Sequence, residues 1–163
     1  MMKITWKKNI SNDFKLFNNE SQIGILKSEN YLDGSVFGNI ENEKYSFKRK
    51  NIFENQSIII DKTQNRQIGI IKYGIWNNKA DIFVNDLKYT WKYNNVWNSE
   101  WYIEDSNGEK INFKSNFFKG TVLTNENDAL KILLGLYIYR YYQRNTFIIF
   151  FIIFLPTIMR MLN

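Results

Sequence analysis

The chain has 163 residues, 44% of them hydrophobic and 17% aromatic, which is enough for one domain with a packed core and too apolar for a disordered segment. It contains no cysteine and no histidine, which removes disulfide scaffolds, zinc fingers, thiol nucleophiles and histidine-based triads, because their ligands or bases are missing. Lysine and arginine outnumber aspartate and glutamate by 22 to 16, a net charge of +6 that suits an acidic partner, nucleic acid or anionic lipid, without choosing between them.

Alanine occurs only at Ala80 and Ala129 and proline only at Pro156, whereas isoleucine, phenylalanine, tyrosine and tryptophan abound and asparagine is the main polar residue. β-branched and aromatic side chains suit a pleated surface and asparagine suits tight turns, so the chain is expected to be mostly strand. The opening run Met1 to Lys8 has no apolar stretch of signal-peptide type.

Taken in order, the segments repeat. Gln22-Ile23-Gly24-Ile25 returns as Gln67-Ile68-Gly69-Ile70 at a spacing of 45, and the lone strand glycines Gly24 and Gly69 suit bulges. Lys44-Tyr45-Ser46-Phe47-Lys48 returns 44 residues later as Lys88-Tyr89-Thr90-Trp91-Lys92, with Asn51-Ile52-Phe53 matched by Asn95-Val96-Trp97. A third, shorter copy runs from Tyr102-Ile103-Glu104-Asp105 to Lys110-Ile111-Asn112-Phe113 and pairs with Ile59-Ile60-Asp61-Lys62 to Gln67-Ile68-Gly69-Ile70 at a spacing of 43. Within the repeats, alternating apolar residues flank turn residues. Ser57–Ile60 and Ile68–Ile71 flank a polar turn from Asp61 to Arg66. Asp81–Val84 and Leu87–Trp91 flank Asn85-Asp86, which tolerates positive φ. Glu100–Ile103 and Lys110–Phe113 flank Asp105-Ser106-Asn107-Gly108. About four short strands per copy give about twelve in all, and closure of such a meander removes its exposed edges. A closed sheet of that size has a radius of roughly 12 Å, too wide for inward side chains alone to fill.

The filler follows at Ala129. The run to Tyr139 is helical in pattern and apolar nearly all round, with Lys131 the exception, and Asn125 with Asp128 makes an N-terminal cap. A helix about 10–12 Å across fits the space inside twelve strands. The expected fold is therefore mainly β with one C-terminal helix: a closed antiparallel barrel of about twelve strands around a central helix. Residues 1–144 form the barrel with its helix at about 128–143, and 145–163 form a hydrophobic tail.

This arrangement, with the aromatic run from Tyr89-Thr90-Trp91 to Asn107-Gly108 and the helix Leu130-Lys131-Ile132-Leu133-Leu134-Gly135-Leu136, resembles the tubby C-terminal-like superfamily over Phe14 to Arg144. Tubby, the plant LURP-one-related proteins and the phospholipid scramblases belong to it, and the chain is similar to its small bacterial members. The resemblance implies the same plugged barrel, and association with membranes or phosphoinositides. Two features depart from it. The segment before the helix, Thr124-Asn125-Glu126-Asn127-Asp128, has only two carboxylates where scramblases carry an acidic calcium loop, and a hard cation wants six to eight oxygens. Tubby's basic lipid site has no residue-by-residue counterpart.

From Thr146 to Met159 the tail has no charge in fourteen positions, between Arg144 and Arg160. Fourteen is short of the about 20 apolar residues of a full crossing, and Pro156 is expected to kink or stop the helix. Tyr139, Arg140, Tyr141, Tyr142 and Arg144 on one side and Arg160 on the other form an aromatic and basic collar of the kind found at a headgroup boundary; the positive-inside rule then puts the barrel in the cytoplasm. Three readings of the tail stand: a short anchor or half-inserted hairpin, a second element packed on the barrel or an oligomer interface, or one crossing from Ile132 to Leu155 with no plug, which would bury Arg140 and Arg144 at an unfavourable depth.

Other motifs read as structure. Asp105 to Glu109 is a hairpin turn rather than a calcium loop. Lys48, Arg49 and Lys50, beside Phe47 and Phe53, read first as a solvated strand face and otherwise as a contact for nucleic acid or lipid headgroups. Trp91, Trp97 and Trp101 are expected as barrel packing. Glu100 and Glu104 lie about 13 Å apart on a strand, too far for glycosidase chemistry. The expectation is a non-enzymatic, membrane-associated module without cofactor, metal or nucleic-acid partner, touching lipid, anionic lipid included, through its basic surface and tail. The alternatives are a scramblase-like lipid-moving protein, and a soluble cytoplasmic scaffold that oligomerises through the tail.

Overall fold

The computed structural model of the chain describes residues 1–30, 34–50, 55–76 and 78–161, with the backbone alone of 147–159 and 161. Alternation of inward apolar and outward polar residues produces twelve strands: β1 (Met2–Lys8), β2 (Phe14–Asn18), β3 (Ser21–Asn30), β4 (Ser35–Ile40), β5 (Glu43–Arg49), β6 (Gln56–Asp61), β7 (Arg66–Tyr73), β8 (Lys79–Val84), β9 (Leu87–Tyr93), β10 (Glu100–Glu104), β11 (Lys110–Asn116) and β12 (Lys119–Thr124). Each pairs antiparallel with its sequence neighbours, and β1 pairs with β12, so the sheet is a closed barrel without free edges.

The repeats are visible as geometry. At Gly24 the register of β2 on β3 slips by one residue, and at Gly69 that of β6 on β7 does the same. A Cβ on Gly24 would lie 2.3 Å from the Asn39 carbonyl oxygen, and one on Gly69 would lie 2.3 Å from that of Phe83. The equivalent pair in the third copy, β10 on β11, keeps its register, so the bulge belongs to two copies. Turn chemistry fits as well: Asn85 and Asp86 both hold positive φ, 45° and 69°, in the two-residue link between Val84 and Leu87.

The helix α1 (Ala129–Met161) occupies the middle. It is capped by Asp128 alone, whose Oδ1 accepts from the Lys131 amide at 2.9 Å; Asn125 takes no part in that bond. Ile132, Leu133, Leu134, Leu136 and Ile138 are fully buried against the inner faces of the strands, such as Phe47, Ile59, Ile71 and Ile103. Each such side chain stabilises the fold by about 1.5–3 kcal/mol on burial. Gly135 is where helix and wall come closest. A Cβ there would lie 2.2 Å from the Phe113 ring, and the bare backbone lets Trp91 and Trp101 both donate their indole N–H to the Gly135 carbonyl, at 3.1 and 3.0 Å. The helical backbone does not stop at Pro156 but continues to Met161, beyond the span of about 128–143 expected for the plug.

This topology gives the barrel two dissimilar mouths. The links β2–β3, β4–β5, β6–β7, β8–β9 and β10–β11, together with the link from β12 into α1, lie at the mouth where the helix enters. The links β1–β2, β3–β4, β5–β6, β7–β8, β9–β10 and β11–β12 lie at the mouth toward which it runs.

Candidate functional site

The exit mouth is fixed by bonds from the last buried turns of α1. Arg140 donates to the Asn12 carbonyl at 2.7 Å, to Asp13 Oδ1 at 3.2 Å and to Ser28 Oγ, tying the helix to β1–β2 and β3. Tyr141 donates to Asn55 Oδ1 at 2.8 Å and stacks on Tyr73, and Tyr142 donates to the Lys79 carbonyl. Tyr139 stacks on Trp101 at 4.0 Å and shares a hydrogen bond with Ser115 Oγ. Tyr139, Tyr141 and Tyr142 are thus buried in the throat, not arranged as an outward collar; an antiparallel wall of aromatics surrounds that turn and takes up the rings. Burial pushes the hydroxyls of Tyr73, Tyr137, Tyr139 and Tyr142 above the ordinary tyrosine range.

Two sets of basic residues far apart in sequence meet here. Arg49, at the end of β5, places its guanidinium 5.5 Å from the Tyr141 ring and lines one small cavity with Arg140 and Arg144. Arg144 is exposed, beside Gly34. Lys48 and Lys50 flank Arg49 and are exposed. Arg160 is exposed near the end of α1; Phe53, and the side chains of Phe147 to Met159, lie outside the described residues. Of the sequence-singled tryptophans, Trp91 and Trp101 are core, but Trp97 is 85% exposed. The reason is its position: it sits in the β9–β10 link, beyond the last paired residues, where no facing strand can cover it.

Trp97 has company. Nine large hydrophobic side chains stand exposed among the described residues, and seven of them, Ile10, Ile75, Trp76, Val96, Trp97, Phe117 and Phe118, are in links at the exit mouth. Two further links there, β3–β4 and β5–β6, have most of their residues outside the described ones and carry apolar pairs in sequence, Tyr31-Leu32 and Ile52-Phe53. The six links at the entrance mouth contain no large apolar residue; they hold Glu20, Glu41, Asp86, Asp105, Glu109, Glu126 and Asp128 among asparagines and other polar residues.

A basic girdle lies below the apolar rim. Lys7 faces Lys15 on one side and Lys119 on the other, and Lys79 faces Lys92. Like charges directly opposite on neighbouring strands weaken a sheet. Complementary pairs occur toward both ends: Lys110 with Glu104 at 3.2 Å and Asp61 opposite Arg66 toward the entrance, and Lys79 with Asp81 at 3.4 Å toward the exit. Glu100 is held by Lys114 at 2.8 Å. Asp105 spends its Oδ1 on the amides of Asn107 and Glu109, a turn as expected, and no group of three or more metal-ligating side chains occurs among the described residues.

Sequence reasoning did not single out the rim residues Ile10, Ile75, Trp76, Val96, Phe117 and Phe118. Their signal was an apolar residue or pair inside a polar link, recurring every 21 to 23 residues. No family model, curated protein or solved structure matches the chain. Among the described residues no helix is long and apolar enough to cross a membrane.

Proposed function

We propose that this protein is a non-enzymatic, membrane-associated barrel that rests its exit mouth on a lipid bilayer, as the likeness to tubby and the scramblases suggests. One observation carries the reading: the exposed large apolar side chains gather at the mouth toward which the plug helix runs, above lysines that face one another. A soluble monomer gains nothing from such a crown. On a bilayer each inserted tryptophan or phenylalanine contributes up to about 1.5–3 kcal/mol, and each lysine near an anionic surface about 1 kcal/mol.

The helix supports the same orientation. The residues after Arg144 reach to Met161 as helical backbone, about 25 Å of rise against a hydrocarbon core of about 30 Å. The uncharged run Thr146 to Met159 makes that segment suited to lipid, and the basic residues around the mouth favour a cytoplasmic barrel. The lipid-moving alternative would require α1 to leave the barrel or a polar groove across the bilayer, and the two indoles held by the Gly135 carbonyl weigh against the first.

Vesicle flotation tests the reading with the full chain. Wild type is expected to float with vesicles containing phosphatidylglycerol. A chain with Trp76, Trp97, Phe117 and Phe118 changed to serine or asparagine should keep its thermal midpoint and bind at least about tenfold more weakly. Equal flotation of the two would reject a role for the rim. Self-association through the tail without flotation would favour the scaffold reading.

A further inference from the structure

Between the β9–β10 and β11–β12 links, the exit mouth opens into a cleft of about 480 Å³, within the size range of small-molecule sites. Its floor is polar: Lys8, Ser99, Ser115 and Gln143. Its lips are Trp97, Phe117 and Phe118.

Lys8 closes β1 half-buried, its ammonium 5.5 Å from the Tyr139 ring, and makes no ion pair among the described residues. Among the described residues no carboxylate lines the cleft. Burial pulls the Lys8 amine below the ordinary lysine range, as desolvation does to a charge without a counter-ion. The hydroxyls around it have donors to spare. Ser99 Oγ accepts from Asn95 Nδ2 at 2.8 Å, which leaves its own hydrogen free. Ser115 and Tyr139 share one hydrogen bond at 3.0 Å between two hydroxyls, so one hydrogen of that pair is also free. An ammonium with two hydroxyl donors and no competing anion suits a phosphate oxygen.

The lips add a second, independent sign. Phe117 holds φ at 52° and is 84% exposed. The left-handed region favours glycine or asparagine, as the asparagines at other turns here illustrate, and a phenylalanine there carries backbone strain. Neither conformation nor core packing accounts for the ring. A bilayer does.

Resting on the docking reading above, we infer that this cleft takes the phosphate of an anionic phospholipid, with Lys8 as its charge partner, Ser99 and the Ser115–Tyr139 pair as donors, and Trp97, Phe117 and Phe118 among the acyl chains. The tests use the full chain, vesicles of phosphatidylcholine alone and vesicles of phosphatidylcholine with phosphatidylglycerol. Lys119, on the neighbouring strand and outside the cleft, supplies the control. Lys119→Gln is expected to weaken binding to the anionic vesicles by about fivefold, the effect of one diffuse surface charge. Lys8→Gln is expected to weaken it by an order of magnitude or more beyond that, Lys8→Arg to restore part of the loss, and the loss to be smaller on phosphatidylcholine alone, whose choline ammonium offsets its phosphate. Should Lys8→Gln lower the thermal midpoint, Ser99→Ala carries the test, with a smaller loss that is again greater on anionic vesicles. Equal effects of Lys8→Gln and Lys119→Gln overturn the site while leaving the docking reading in place. Failure of wild type to bind either vesicle overturns the docking reading itself. A saturable change in tryptophan fluorescence with inorganic phosphate alone would assign the cleft to a soluble anion and overturn the lipid assignment.

Discussion

The two mouths of this barrel are built from the same elements, six chain links each, and differ in what those links carry. At the entrance mouth positive φ falls on Asn19, Asn65, Asn85 and Asp86, with Glu41 the exception, and at the exit mouth Asn12 and Asn98 take it as well, with Phe117 the exception. Charges at the entrance are matched across strands, and Asp128 caps the helix. At the exit mouth a phenylalanine holds a left-handed turn, lysines face lysines, and tryptophans stand in the open. The difference between the mouths is carried by their links: polar and acidic at the first, rich in exposed apolar side chains at the second. Exposed apolar side chains in four of the six exit links are what the proposed docking surface would account for.

That contrast can be broken or sharpened experimentally, starting with the plug that both mouths share. Leu133→Ala removes a fully buried side chain at the centre of the lumen and should cost about 2–5 kcal/mol, read as a lower midpoint in chemical denaturation. Alkaline pH comes next. Tyr73, Tyr137, Tyr139 and Tyr142 bind their protons more tightly folded than unfolded, so their contribution is complete below the ordinary tyrosine pKa of 10.0 and is lost as pH rises above it. Thermal midpoints should therefore fall above that pH, and tyrosinate absorbance should rise for these rings only with unfolding; early titration of all ten tyrosines would contradict their burial.

At the entrance, Asp128→Ala should cost about 1 kcal/mol through loss of the cap. The matching change at the exit has the opposite sign. Phe117→Asn should stabilise the fold by up to about 1 kcal/mol by relieving the left-handed phenylalanine, while weakening vesicle binding. If it destabilised the barrel, Phe117 would be a packing residue and the contrast between mouths would lose its sharpest example. Smallest is the exposed pair Glu100–Lys114, whose removal by Lys114→Gln should change stability by less than about 1 kcal/mol.

The barrel and its plug were legible because they follow from local pattern. Alternation separates inward from outward, a spacing of 44 or 45 residues reveals the copies, and Gly24 and Gly69 mark the same bulge twice. The helix betrayed itself by lacking a polar face. The candidate surface was harder for two reasons. Alternation says which wall a residue faces but not which mouth, so Trp97 read as core like Trp91 and Trp101. Arg49 and Arg140 come together only through the register of β5 and the depth of α1, neither of which a single sequence displays. The tyrosines around Arg140 misled for a related cause: an aromatic and basic cluster looks the same whether it meets lipid headgroups or the throat of a barrel.

Because the chain contains no cysteine, its orientation on a bilayer can be read with single introduced thiols. Val96→Cys labels the exit mouth and Thr63→Cys the entrance mouth, both at exposed link positions. With a polarity-sensitive dye on each, vesicles containing phosphatidylglycerol should shift the emission of the label at 96 to the blue and leave that at 63 unchanged. A shift at 63 alone, or no shift at either, would contradict a barrel that meets the membrane by its exit mouth.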